Sequence, residues 1–343
     1  MAAPTQYYVD PSLGADTGDG TVGTPWGRAS GSVVQYALDT ITRDGTGGDQ
    51  INVKAGTDDV LGAAINLTTN YGTPSSAARL IIRGYTSTAD DGGQGGISGA
   101  GTYSIFASAS GYLSWIDMHL HNCGSANVLQ LASYCHIAQC EIDNSTGRGI
   151  DASGASGVLI ISNYVHNIGG VGVSLKAGKI VNNYLSNGTN DFDDAIYMSN
   201  LNGTIIGNII SIDGTSDGIN TARADTLIMN NSILSAGGTG SGIKHQANWG
   251  GYSIINNLVE GFSGVGGDGI LRSASADGFM FAHNGVYNCA TSYGTGSEDN
   301  IVTDNESLGA SPFAKSGADT FANRFVYFAP VDTGNVHGGA YVG

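Results

Sequence analysis

Asp194 and Asp217 stand 23 residues apart, and Lys244-His245 follows after a similar interval. Two carboxylates held ~5 Å apart can share the acid and nucleophile roles of glycoside cleavage, and a lysine beside them can accept the proton in an elimination. On this reading Asp194, Asp217 and Lys244 are candidate catalytic residues. Tyr197, Asn220, His245, Trp249 and Tyr252 are candidate glycan contacts. The carboxylates can instead hold a Ca²⁺ ion that bridges an acidic glycan. A plainer reading gives Asp194, Asp217 and Asp268, each ahead of Gly or Ala, a turn role in which they accept backbone amides. The sequence favours that plainer reading.

Two further groups carry chemistry-bearing types. His121, Asp143 and His166 recur at one position of a repeat and can bind a metal or exchange protons; a solvated polar face accounts for them more simply. Trp249 and Tyr252 fall in the longest interval, where extra residues form a loop able to stack an aromatic on a sugar or on a neighbouring chain. Cys123, Cys135, Cys140 and Cys289 lack paired metal-ligand spacing, so no metal ligand set is assigned.

What positions these residues is a repeat. Ile105, Val128, Ile150, Val173, Ile196, Ile219, Ile243 and Ile270 recur at intervals of 23, 22, 23, 23, 23, 24 and 27 residues, each after a small or polar residue. A second column holds Met118, Cys140, Asn163, Asn183, Asn208, Asn231, Asn257 and Asn284. Apolar residues stand three before it (Trp115 to Phe281) and two after it (Leu120 to Val286). Such a period means a solenoid whose repeats bury their apolar edges by stacking. Short Ile-, Val- and Tyr-rich runs between Gly, Asn, Ser and Asp are strand-and-turn composition. The expected fold is all-β, a parallel β-helix in which a column of Asn amides bonds from rung to rung and tolerates left-handed backbone. A shorter row, Asn122, Asn144, Asn167 and Asn187, marks the next bend.

Only 12% of residues are charged, and 55 of 343 are Gly. The net charge of -16, from 13 basic and 29 acidic residues, argues against nucleic acid, anionic membrane surfaces and anionic polysaccharide without a cation. Met1-Ala2-Ala3-Pro4 leads into polar chain with neither a basic nor an apolar signal region. A virion or extracellular location, reached without a classical signal peptide, is expected.

Residues 1–56 are expected to form an N-terminal cap and first strand. Tyr7 to Asp10 reads as a strand, and Ser32 as the N-cap of a helix whose apolar residues are Val33, Val34, Ala37, Leu38 and Ile41. Residues 57–310 make the helix of rungs, with a strand at Arg79–Arg83 and a Gly-rich loop at Asp90–Gly101. Residues 311–343 close it, with Phe321–Pro330 supplying the apolar mass of a second cap or an interface.

The segment Tyr7-Tyr8-Val9-Asp10-Pro11 with Gly14, Asp16, Asp19-Gly20-Thr21 and Pro25-Trp26 resembles the amino-terminal signature of right-handed parallel β-helix proteins of the pectin-lyase-like superfamily. Ser311-Pro312-Phe313 and Val331-Asp332-Thr333-Gly334 are similar to its closing rung. Asp193-Asp194-Ala195-Ile196 also resembles the paired-aspartate segment of polygalacturonases, and Gly242-Ile243-Lys244 their basic strand; no Gly-His-Gly partner accompanies them. The resemblance covers nearly the whole chain and implies the fold, while the superfamily spans lyases, hydrolases, epimerases, adhesins and phage tail proteins. The expected function is a structural or recognition β-helix, a phage virion component (tail, tailspike-like or head-surface) that touches host glycan and assembles as a trimer, as the resemblance implies. The alternative is a polysaccharide hydrolase or lyase acting on an extracellular glycan.

Overall fold

A computed structural model describes residues 3–67, 71–107, 110–188, 190–200, 202–223, 225–246, 252–272 and 280–294, with strand backbone at 301–303, 306–307, 313–315 and 328–330. The fold is an all-β parallel solenoid with one short helix near the N-terminus. Its contacts divide it into two compact units, Met1–Tyr164 and Val165–Gly343.

In the first unit the strand Thr5–Val9 pairs in parallel with Asp49–Lys54. The helix Val33–Thr40 packs on both and buries Val33, Val34, Ala37 and Leu38. Ser32 caps it as expected, its hydroxyl accepting the Gln35 N–H at 3.0 Å. A second cap, not legible in the sequence, reinforces it. Asp59, from the strand Asp58–Val60, accepts the Val33 and Val34 N–H groups at 2.9 and 3.1 Å and the Ser32 hydroxyl at 2.6 Å. These donors have no partner within a helix, so the buried carboxylate ties the helix to the first rung. Burial nonetheless pushes its carboxyl pKa up, against the pull of those bonds.

Above the cap, Ile82, Trp115, Ile137 and Ile160 pair in one column. A second sheet stacks Asp58–Val60, Gly95–Ser98, Met118–Gly124 and Glu141–Ser145. The strand Gly95–Ser98 corrects the expected loop at Asp90–Gly101. Its glycines are there because neighbours crowd them: a Cβ on Gly95 would lie 2.7 Å from the Val53 carbonyl oxygen. One register also differs from expectation. Ile150 pairs with Leu129, not Val128, because the pairing slips by one residue at the bend between Asp143↔His121 and Ser145↔Gly124. The buried column survives because Val128 and Leu129 are both fully buried.

In the second unit the columns hold register. Val173, Ile196, Ile219, Ile243 and Ile270 pair in sequence, as do Ile180, Ile205, Ile228, Ile254 and Phe281. The other sheet pairs Leu185, Ile210, Ile233, Val259 and Val286. Asn183 donates its backbone N–H to Asn208 Oδ1 at 2.9 Å, Asn208 to Asn231 at 2.9 Å, Asn231 to Asn257 at 3.0 Å and Asn257 to Asn284 at 3.0 Å. Left-handed backbone falls one residue earlier than the sequence suggested, at Asn182, Gly207, Asn230, Asn256 and His283. That residue turns the chain between the sheets, which leaves the next amide pointing into the core. The row at the following bend is left-handed at Asn122, Asn144 and Asn167 but not at Asn187.

The strands Phe313–Lys315 and Phe328–Pro330 pair antiparallel; the rest of the expected closing region lies outside the described residues.

Candidate functional site

Parallel pairing in the second unit sets Asp194 beside Asp217 at the starts of the strands Asp194–Met198 and Asp217–Thr221. Tyr197 pairs with Asn220, and Asn220 with Lys244. The sequence-derived group Asp194, Asp217, Asn220 and Lys244 is therefore assembled. Asn220 joins the two carboxylates: its Nδ2 lies 3.3 Å from each Asp194 oxygen and 3.4 Å from Asp217 Oδ2. The carboxylates can be no further apart than two such contacts laid end to end.

Their surroundings differ. Asp217 is buried, accepting the Lys244 ammonium on Oδ2 at 2.8 Å and the Ser241 N–H on Oδ1 at 2.7 Å. The second bond comes from the next rung's strand rather than from Asp217's own turn, and it coexists with the ion pair. Asp194 has the Asn220 amide. Its pKa is pushed up to about 7, first by burial and then by the negative charge of Asp217, while Asn220 and Lys244 pull it down. A carboxyl that holds its proton to about pH 7 can act as an acid beside a neighbouring carboxylate. The contacts fit Ca²⁺ poorly, since a lysine ammonium already meets one Asp217 oxygen and a backbone amide the other.

The remaining predicted residues separate. Tyr197 stands half-buried beside Asn220. His245 and Tyr252 are 1% exposed, which corrects their assignment as glycan contacts. His245 Nδ1 meets the Thr221 hydroxyl at 2.8 Å, and the Tyr252 ring lies 3.7 Å from the imidazole, centroid to centroid. The inward-facing column Thr221, His245 and Arg272 is a polar core motif. It was legible in the repeat, because each member stands two residues after Ile219, Ile243 or Ile270. Ser241 carried no signal, since its contribution is a backbone amide. Trp249 lies outside the described residues.

Two surface grooves, both in the first unit, are separate from this cluster. One of about 630 Å³ runs between Asp10, Lys54 and Tyr85 at the cap; the other, of about 700 Å³, is bordered by Gln130, Asp151 and Ser153. No described helix is long and apolar enough to cross a membrane.

Residues 103–286 match the profile of the family described as right handed beta helix region. The chain belongs to the right-handed β-helix family. A comparison with curated protein sequences gives no match. Among solved structures this β-helix is similar to a pectate lyase, Pel9A, at a TM-score of 0.51 and 11% identity, over 90% of this chain and 80% of that one. It also overlaps a pectin methylesterase from Aspergillus niger (TM-score 0.41, 13% identity, 91% and 93% covered) and a PL6 family polysaccharide lyase from Pseudopedobacter saltans (0.39, 13%, 81% and 92%). The expected right-handed parallel β-helix fold is thus borne out. The virion origin and the trimer gain no support from these likenesses.

Proposed function

We propose that this β-helix cleaves an extracellular polysaccharide by hydrolysis, with Asp194 as proton donor and Asp217 as the ionised partner. The observation that carries the proposal is the pair itself: Asp194, with its pKa near 7, shares one Asn220 amide with a carboxylate that holds a lysine. Asp194 protonates the glycosidic oxygen as its bond to the anomeric carbon breaks, Asp217 bonds to that carbon, and a water then displaces Asp217 while giving a proton back to Asp194. The close approach of the two carboxyls suits the ~5–5.5 Å spacing of a retaining mechanism. Lys244 donates to Asp217, so service as a lyase base would first require that contact to break. The acidic chain, at -16, favours a neutral glycan over a uronate polymer. Tyr197, half-buried beside Asn220, stacks on a sugar in this reading.

A depolymerisation screen on purified protein tests this. Reducing ends should appear without the ultraviolet absorbance of unsaturated uronates, and Asp194→Asn and Asp217→Asn should each lower the rate by ~10²–10⁴-fold. Growth of the absorbance would instead make the chain a lyase.

A second reading, a non-catalytic recognition or virion scaffold, is favoured by the Ser241 N–H bond to Asp217. It requires that no substrate be cut and that Asp217→Asn act on stability alone.

A further inference from the structure

The first unit carries a cluster of a different kind on its outer face. His119 and His121 alternate with the buried Leu120, so both imidazoles leave the strand Met118–Gly124 on one side; their rings stack with centroids 4.2 Å apart and planes 9° apart. His121 Nε2 lies 3.0 Å from Asp58 Oδ2, although Asp58 belongs to a strand two rungs away. The rung between makes this reach possible. Asp58 pairs with Gly96, and Gly96 with His119, and a Cβ on Gly96 would sit 1.9 Å from Asp58 Oδ1. The glycine leaves a slot through which the carboxylate leans toward the imidazoles. One ligand atom from each of Asp58, His119 and His121 then falls within 4.8 Å of the others.

We propose that Asp58, His119 and His121 form a binding site for a divalent transition ion of the zinc class. Two imidazoles with one carboxylate are the donors such ions prefer, whereas Ca²⁺ and Mg²⁺ take oxygen. A tetrahedral ion with bonds of ~2.0–2.1 Å holds its donors ~3.3 Å apart, so small side-chain rotations close the set. Asp143 supports it: its Oδ1 lies 3.0 Å from His119 Nε2, the role a carboxylate plays behind a metal-bound histidine, fixing ring orientation. Side-chain exposures of 42%, 31% and 17% for Asp58, His119 and His121 let an ion enter from solvent. Three protein ligands leave a fourth position for water. The bound ion would staple the rung next to the N-terminal cap to the rung two above it.

The test is titration of metal-free, full-length protein with Zn²⁺ against a chromogenic chelator, with Co²⁺ as a spectroscopic probe. One ion per chain should bind, and Co²⁺ should give the intense visible bands of a four-coordinate site. His119→Ala, His121→Ala and Asp58→Asn should each weaken binding at least ~10-fold, and Asp143→Asn by ~10–100-fold. Gly96→Ala, which puts a methyl where the Asp58 carboxylate passes while leaving every ligand residue in the sequence, should weaken it too. Zn²⁺ should raise the Tm of the parent but not of Asp58→Asn or Gly96→Ala, a readout that holds even if a histidine variant folds badly. Asp194→Asn should bind as the parent does. No saturable ion, or binding unchanged in Asp58→Asn and Gly96→Ala, would overturn the proposal.

Discussion

The two units use one repeat with different residues at its buried corner. In the second unit the corner is amide throughout: Asn208 Nδ2 donates to Ile180 O at 3.0 Å, to Ile206 O at 3.2 Å and to Asn231 Oδ1 at 2.9 Å, and Asn231 and Asn257 repeat the pattern. In the first unit the position holds Met118, then Cys140, and an amide only at Asn163. The Cys140 thiol faces the equivalent carbonyls, Trp115 O at 3.5 Å and Ala138 O at 3.3 Å. A thiol is a weak donor there and accepts poorly, so it cannot pass the ladder to the rung before it. The unit with the unbroken ladder keeps its register, and the unit with the broken one slips by a residue at Ser145. An amide corner thus fixes each rung to the next, whereas an apolar corner only fills space.

The largest test of that contrast is Asn231→Ala. It strips buried partners from Asn208, Asn257, Ile205 and Met229 and should cost ~3–5 kcal/mol in urea unfolding. A loss near 1 kcal/mol would mean that the aliphatic columns alone hold register.

Next in size is Asp194→Asn, which asks what the regular unit gives up to bury a carboxyl. The folded pKa is raised from 3.8 to about 7, so between those values the folded chain keeps a proton that the unfolded chain has released. Stability contributed by this group therefore falls as pH rises through that window and is level on either side. The Asn variant should lose the slope and be more stable by on the order of 2 kcal/mol at pH 8. Equal slopes in the two proteins, read by urea melts from pH 4 to pH 8, would refute the assigned proton.

Cys140→Asn moves the second unit's chemistry into the first. Its amide should replace two thiol contacts with two amide–carbonyl bonds and stabilise by ~1 kcal/mol; destabilisation would show that the corner is too tight beneath Met118. Ser32→Ala, at the cap, should cost the least, ~0.5–1 kcal/mol in the same melts, because Asp59 still accepts the Val33 and Val34 amides.

Much of this architecture is a property of the sequence alone. Aliphatic spacing near 23 residues forces stacked rungs, because a strand-and-turn repeat can bury its apolar face only against its neighbours. The same spacing brought Asp194 to Asp217 and Asn220 to Lys244, since residues at equal phase pair across rungs. Three-dimensional packing decided what phase does not encode. Tyr252, outside the repeat's columns, is buried against the His245 ring. Asp58 met His121 across an intervening rung only because Gly96 has no side chain. Asp59 found the helix it caps from 25 residues away. Such contacts join positions of unequal phase, so no periodicity announces them, and only the folded backbone brings them within a hydrogen bond's length.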